Sequence, residues 1–301
     1  MKWCKLGQIY LPSSTHPKLI THAANPLAVP LGGDLYRVFF SARDEANRSS
    51  VGFVDIDLEK RSVVYIHPEP AFLHGSEDSF YSHGVSIGNY FSVESRCYIL
   101  FMGWQNNPNQ HWRGDIGRLE LSKDSKLSIN SVTPLMSSDI EDPVSLSYPW
   151  VIKEERLYKM WYGSTICWEA GNKEMLHVIK YATSLDGSHW EKKGLAIPYE
   201  LGKAQAFSRP TVIKNDRGYH MWYSFRSGSG SPYRIGYASS CDGEHWLRDE
   251  SDSGIDVSDS GWDSEMICYP FVFKHKNNYY MLYNGNGYGR TGFGMAVCEE
   301  L

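Results

Sequence analysis

Apolar and polar positions alternate along most of this chain in short runs, and no stretch keeps a 3.6-residue recurrence with helix caps. The runs follow one cadence: a brief apolar segment, a polar turn, an aromatic segment, a further short strand and a second turn. Whole phrases return. Tyr181-Ala-Thr-Ser-Leu-Asp-Gly-Ser-His-Trp190 comes back 56 residues later as Tyr237-Ala-Ser-Ser-Cys-Asp-Gly-Glu-His-Trp246. Ahead of them run Tyr148-Pro-Trp-Val-Ile to Lys159-Met-Trp-Tyr-Gly163, and Arg209-Pro-Thr-Val-Ile to His220-Met-Trp-Tyr-Ser224. Tyr269-Pro-Phe-Val-Phe to Tyr280-Met-Leu-Tyr-Asn284 is a third relative. A repeat of this length, rich in strand formers, predicts one supersecondary unit stacked several times.

Aligning on the opening strand gives five units, starting at Asn25-Pro26, near His83-Gly84, and at Pro149, Pro210 and Pro270. The intervals are 58, 65, 61 and 60 residues. Each unit reads as four strands, with the Asp-Gly of Ser-x-Asp-Gly-x-x-Trp supplying positive φ in a tight turn and the Trp packing between adjacent sheets. The fifth unit reaches Leu301 soon after its third strand, Gly294-Met-Ala-Val-Cys298, so the segment Trp3 to Tyr10 is expected to supply its fourth. Radial repetition is the propeller solution to exposed sheet edges. The expectation is therefore all-β: a single five-bladed β-propeller of four-stranded blades over residues 1–301, the N-terminal strand closing the last blade.

Composition narrows the function. Aromatics make up 14% of the 301 residues, which suits strands and sugar-binding surfaces alike. The net charge is −5 and basic runs are lacking, which argues against nucleic acid as a partner. No segment has the roughly 18 apolar residues of a membrane span. The N-terminus lacks an apolar signal region and the six cysteines lack zinc spacing, so a reduced, cytoplasmic protein is expected, with no metal site from these residues. The oligomeric state is not legible.

The X-Pro strand starts, the Ser-x-Asp-Gly-x-x-Trp turns and the aromatic-Tyr-Gly/Ser strand ends resemble the five-bladed glycosidase superfamily of arabinanases, invertase-like enzymes and the mannoside phosphorylases of glycoside hydrolase family 130. The run from Gly261-Trp-Asp-Ser-Glu to Gly289-Arg-Thr-Gly-Phe-Gly294 is similar to an uncharacterised subgroup associated with bacterial surface polysaccharides. The resemblance implies an oligosaccharide or glycoside ligand and leaves room for a central-channel cation or a phosphate, with no other cofactor. It also has a gap. Arabinanase-like members carry acids at or near the inner-strand starts, where this chain has Asn25-Pro26, Ser82-His83-Gly84, Tyr148-Pro149, Arg209-Pro210 and Tyr269-Pro270. Any catalytic acid must come from neighbouring loops.

Strand starts and second-strand ends should meet at one mouth. Glycoside hydrolysis needs a carboxylic acid and usually a second carboxylate; phosphorolysis needs the acid and a cationic cradle. The candidate acids are Glu265, Asp44, Glu169 and Asp78, with Glu265 and Asp44 as the leading pair. Candidate substrate-binding residues are Asn25, Arg43, His83, Trp104, Arg209, Arg226, Tyr269, Asn284 and Asn286. Arg43, Arg209 and Arg226 would suit phosphate or an acidic sugar. Each has a structural alternative: Arg43-Asp44 as an ion pair, Glu265 and Asp78 as loop residues, His83 as a channel filler, the Asn residues as turn formers. Two readings follow: an enzyme cleaving or transferring a glycosidic bond in the central pocket, or a non-catalytic glycan-binding or assembly protein that has lost the superfamily's carboxylates. A pocket with paired carboxylates would favour the first, and one of aromatics and amides the second.

Overall fold

The computed structural model describes residues 1–228 and 230–301, and among these the regular structure is β apart from one 3-10 turn at Glu250–Asp252. Strand β1 (Cys4–Tyr10) precedes four groups of four: β2 (Thr21–Gly32), β3 (Leu35–Arg43), β4 (Ser49–Asp57) and β5 (Ser62–Ile66); β6 (Gly84–Val93), β7 (Arg96–Gln105), β8 (Arg113–Leu121) and β9 (Leu127–Ile129); β10 (Ser145–Glu154), β11 (Leu157–Cys167), β12 (Leu176–Ser184) and β13 (Glu191–Leu195); β14 (Ser208–Asn215), β15 (Gly218–Phe225), β16 (Arg234–Ser240) and β17 (Leu247–Arg248). The chain closes with β18 (Cys268–His275), β19 (Asn278–Asn284) and β20 (Phe293–Cys298).

Within each group the strands form an antiparallel meander, and β2–β5 and β6–β9 share one sheet through a single parallel pairing of Ser49 with Gly84. β1 pairs with β20 from Cys4 opposite Val297 to Tyr10 opposite Phe293, so the N-terminal strand adds the outer strand that the C-terminal sheet lacks. The opening strands adjoin in a cycle: β2 beside β6, then β10, β14, β18 and β2 again. This is an all-β, propeller-like arrangement.

The X-Pro dipeptides have a specific structural role. The pairing register slips at each one: between Ala24 and Leu27, Ser147 and Trp150, Ser208 and Thr211, and Cys268 and Phe271. The residue before each proline has positive φ, 57° at Asn25, 40° at Tyr148, 49° at Arg209 and 54° at Tyr269. Side-chain-bearing residues rarely adopt this conformation, and here it forms a bulge that re-aims one side chain per strand. In β6 the slip falls between Ile87 and Tyr90, on Gly88-Asn89. The second unit is thus aligned by Gly88-Asn89 and not by His83-Gly84, and the intervals from Pro26 become 63, 60, 61 and 60 residues. That bulge lacks a proline, which hid it.

The repeated turn clamps neighbouring sheets. Ser184 and Ser240 Oγ accept from the amides of Gly187 and Gly243 at 2.8 Å. Asp186 and Asp242 accept from the two amides that follow, and both glycines have positive φ, 70° and 78°. The connection is six residues long and organised by the Asp side chain, longer than the tight turn expected. Gly243 O accepts from Trp161 Nε1 of the preceding sheet at 2.9 Å, and Trp246 packs edge-on to Trp161. The turn at Gly187 docks in the same way on Arg118, Phe91 and Val93.

The aromatic strands also carry a repeated polar device. Tyr162, Tyr223 and Tyr283 donate to Asp142, Glu250 and Asp263 at 3.0, 2.9 and 3.0 Å. Each acid is neutralised by a cation: Asp142 by Lys180 and Lys192, Glu250 by Arg248, and Asp263 by Lys5 of β1. The last pair fixes the N-terminal strand to the sheet it completes.

Candidate functional site

A cavity of about 420 Å³ opens at the end of the ring where the inner strands begin. Three sets of residues line it. Tyr148, Ser208 and Tyr269 come from strand starts and Ser86 lies early in β6; Arg43, Trp104, Asn106 and Arg226 come from second-strand ends. Asn47, Trp112, Met175, Tyr233 and Tyr288 come from the loops that lead into third strands.

Of the expected binding residues, the structure brings Arg43, Trp104, Arg226 and Tyr269 to this cavity. Arg43 Nη1 donates to Asn47 Oδ1 at 2.6 Å and has no carboxylate partner among the described residues. Trp104 is held by its Nε1–H bond to Ser49 Oγ, 3.1 Å. Arg226 is gripped from behind by buried Glu174, with Nη2 to Oε1 and Nε to Oε2 both at 2.8 Å, and its guanidinium lies over the Tyr233 ring. One hydrogen bond, from Nη2, and the close ion pair hold the guanidinium while leaving it at the wall. Tyr148 and Tyr269 face each other with ring centroids 5.6 Å apart.

The other five binding candidates lie elsewhere. Arg209 is 1% exposed, behind the two tyrosines, and Nη2 donates across the ring to the Pro26 and Gly88 carbonyls at 2.8 and 3.3 Å. Burial pulls its pKa down to about 9, so it stays cationic at neutral pH. A central-channel cation at this place would meet a buried guanidinium that already holds the Pro26 and Gly88 carbonyls. Among the described residues no cluster of His, Cys, Asp and Glu is placed to ligate a metal. Asn25 is buried, and Asn284 is buried as its anchor, accepting from the Asn25 amide and donating to the Ala23 and Gly292 carbonyls. Asn286 organises a loop through the amides of Glu265 and Met266. His83 is half-buried outside the cavity, bonded to Ser82 Oγ at 3.1 Å.

None of the four candidate acids lines the cavity. Asp44 is 8% exposed and closes the β3–β4 hairpin. Burial works to raise its pKa, but the Arg48 amide and the Lys18 and Arg48 side chains outweigh burial and hold it below the usual range. A group so held is ionised at neutral pH and cannot act as a general acid. Glu169 is exposed and caps its own loop through the amides of Gly171 and Lys173. Asp78 and Glu265 are exposed. The expected convergence of acids at the mouth is therefore not what the fold produces: the loops carrying them turn outward or tie their carboxylates into the scaffold.

His177, not singled out from sequence, is at the wall but committed. Nε2 meets Ser147 Oγ at 2.9 Å and Nδ1 meets Thr165 Oγ1 at 2.7 Å. Burial, then the nearby Arg226 charge, lowers its pKa to about 4, so it is neutral and has no free nitrogen for proton transfer. Gly163 makes room for it: a Cβ there would lie 2.2 Å from Ser147 Oγ and 2.4 Å from His177 Nε2. The third-strand loops were the missed signal. In an antiparallel meander the loop leaving the second strand and entering the third must lie at the same end as the first strand's start.

No family model matches the chain. Uncharacterized protein MT1551 of Mycobacterium tuberculosis (strain CDC 1551 / Oshkosh) is 42% identical over 302 residues, covering all of both chains. The chain belongs to this protein's family. Among solved structures, one titled "Glycoside hydrolase" superposes with a TM-score of 0.78 at 12% identity, covering 99% of this chain and 91% of that one. The endo-arabinase of Bacteroides thetaiotaomicron superposes at 0.65 and 13% identity, with 98% of each chain covered. At such identities the likeness is one of fold, and the family's chemistry has to be argued from its own pocket.

Proposed function

We propose that the five meanders are the blades of a closed five-bladed propeller, and that its central pocket binds a carbohydrate bearing an anionic group, a phosphate or a carboxylate. The observation that carries this reading is the lining: Arg43 and Arg226 among Tyr, Trp, Ser and Asn, with no carboxylate at the wall among the described residues. Aromatic faces and hydroxyls suit sugar rings, and fixed guanidiniums suit anionic oxygens. The glycoside hydrolases among the fold neighbours support carbohydrate as the ligand class. Hydrolysis by two carboxylates has no acid in this pocket to perform it, so the binding reading outweighs the enzyme reading. Six free thiols fit a reducing, cytoplasmic location.

The test is calorimetry and mass spectrometry of the purified protein with oligosaccharides bearing uronic acid or phosphate, and with their neutral counterparts. Each is run with and without inorganic phosphate. Anionic glycans should bind and be recovered intact. Arg43→Gln should weaken them about 10- to 100-fold, the scale of one charge-assisted contact, and leave neutral glycans unaffected. Free sugar or sugar 1-phosphate released by the wild type would overturn the binding reading. Equal affinity for neutral and anionic glycans would overturn the role of the arginines.

A further inference from the structure

At the cavity lies an aromatic group that reaches beyond the residues of its wall. Trp112, in the β7–β8 loop, is partly buried and lines the cavity. Trp168, in the β11–β12 loop, meets it edge-on with centroids 4.8 Å apart. Exposed His111 stacks on Trp168 at 4.7 Å and 25°. Of the other tryptophans, Trp3, Trp150, Trp161, Trp222 and Trp246 are buried, and Trp104, Trp190 and Trp262 are half-buried outside this pair. Trp112 and Trp168 sit half-buried on two loops from successive sheets, in contact with each other, and Trp112 also lines the cavity.

We propose that Trp112 and Trp168 form a second sugar subsite at the rim, so that the ligand is an oligosaccharide whose anionic unit enters the cavity and whose next unit lies against these rings. The inference rests on the carbohydrate reading of the pocket and adds the length of ligand. A half-buried indole keeps apolar surface available to the C–H face of a sugar ring while its N–H stays near water. Trp112 belongs to both the cavity and the ring pair, so a chain leaving the cavity meets these rings next. Tryptophan is also among the residue types on which binding energy concentrates.

The experiment compares a short anionic glycan, one sugar unit, with its two- and three-unit extensions, measured by calorimetry on the wild type and on Trp168→Ala and Trp168→Tyr. In the wild type the second unit should strengthen binding by about 30-fold, the scale of one aromatic contact. Trp168→Ala should remove that gain and leave the one-unit affinity unchanged, and Trp168→Tyr should restore most of it. If the one-unit glycan binds but lengthening adds nothing, or if Trp168→Ala weakens short and long ligands alike, the platform is overturned and the pocket reading stands. If no glycan of any length binds the wild type, the pocket reading falls and takes the platform with it.

Discussion

The body of the propeller and its pocket treat charge in opposite ways. In the body, Asp142 and Asp263 are buried and Glu250 largely so, each accepting from a second-strand tyrosine and each held by Lys or Arg. Asp142 and Asp263 stand seven residues ahead of Pro149 and Pro270, the same place in two units. At the pocket the acids are absent from the wall, and the one buried there, Glu174, lies behind Arg226 as its support. The buried carboxylates named here are thus scaffold elements, while the cavity wall carries Arg43 and Arg226 and no acid among the described residues. The same loop makes the point within three residues: Asp263 is 2% exposed and bonded to Tyr283 and Lys5, while Glu265 is exposed.

The largest effect is expected where the scaffold role is deepest. Asp142→Ala would leave Lys180, Lys192 and the Tyr162 hydroxyl without their shared partner in a buried site. Breaking one partner out of a buried ionic cluster costs about 3–5 kcal/mol, because the remaining charges stay desolvated. Urea unfolding should show a loss of that order. A loss below about 1 kcal/mol would mean that the cluster is solvated in practice and that the division between body and pocket is weaker than drawn.

Next in size is an effect of pH at the boundary between the two regions. His177 is held neutral, its pKa lowered to about 4 from 6.5, chiefly by burial and then by Arg226. His22 is lowered to about 4 as well, by burial and then by Arg43 and Arg290. Between pH 6.5 and 4 the unfolded chain binds protons that the native state does not. Stability therefore falls as the pH falls through that window and levels off below it. The shift for His177 corresponds to roughly 3 kcal/mol. His177→Gln, which keeps groups to bond Ser147 and Thr165, should flatten the slope in urea midpoints between pH 7 and 4.5, leaving the share of His22, His74 and His220, whose pKa values burial also lowers. Identical slopes in both proteins would show that His177 is protonated in the native state. The paired carboxylates act below this window, because their unfolded pKa lies near 4.

Much of the scaffold was readable because its devices recur at fixed intervals. The Ser-x-Asp-Gly-x-x-Trp turn, the aromatic second strand and the X-Pro start are each demanded by backbone geometry in more than one unit. The second unit misled because its bulge is built from Gly88-Asn89 and lacks the proline that marks the others. The site was half legible. Arg43, Trp104, Arg226 and Tyr269 sit on strand ends, whose direction follows from the meander. Trp112, Tyr233 and Tyr288 sit on loops, whose course periodicity does not encode. Glu265 and Asp44 were attractive as carboxylates near a mouth, but proximity along the chain does not say whether a loop turns its acid inward, outward or onto a neighbouring lysine.

The smallest effect tests the comparison from the other side. Glu265 is exposed, and its hydrogen bonds among the described residues are backbone ones: its amide donates to Asn286 Oδ1 and its carbonyl accepts from Arg234. Glu265→Gln keeps both bonds and changes only a solvated charge, so the urea midpoint should not move measurably and anionic-glycan affinity should stay within about twofold. The removed negative charge lies on the cavity's side of the molecule but outside its wall, and screening at physiological salt leaves it little influence on a bound anion. A folded Glu265→Gln protein that binds glycan normally yet loses a turnover present in the wild type would reverse the assignment. It would mean that the loop carrying Glu265 swings over the occupied pocket, and that this one carboxylate belongs to the chemistry and not to the scaffold.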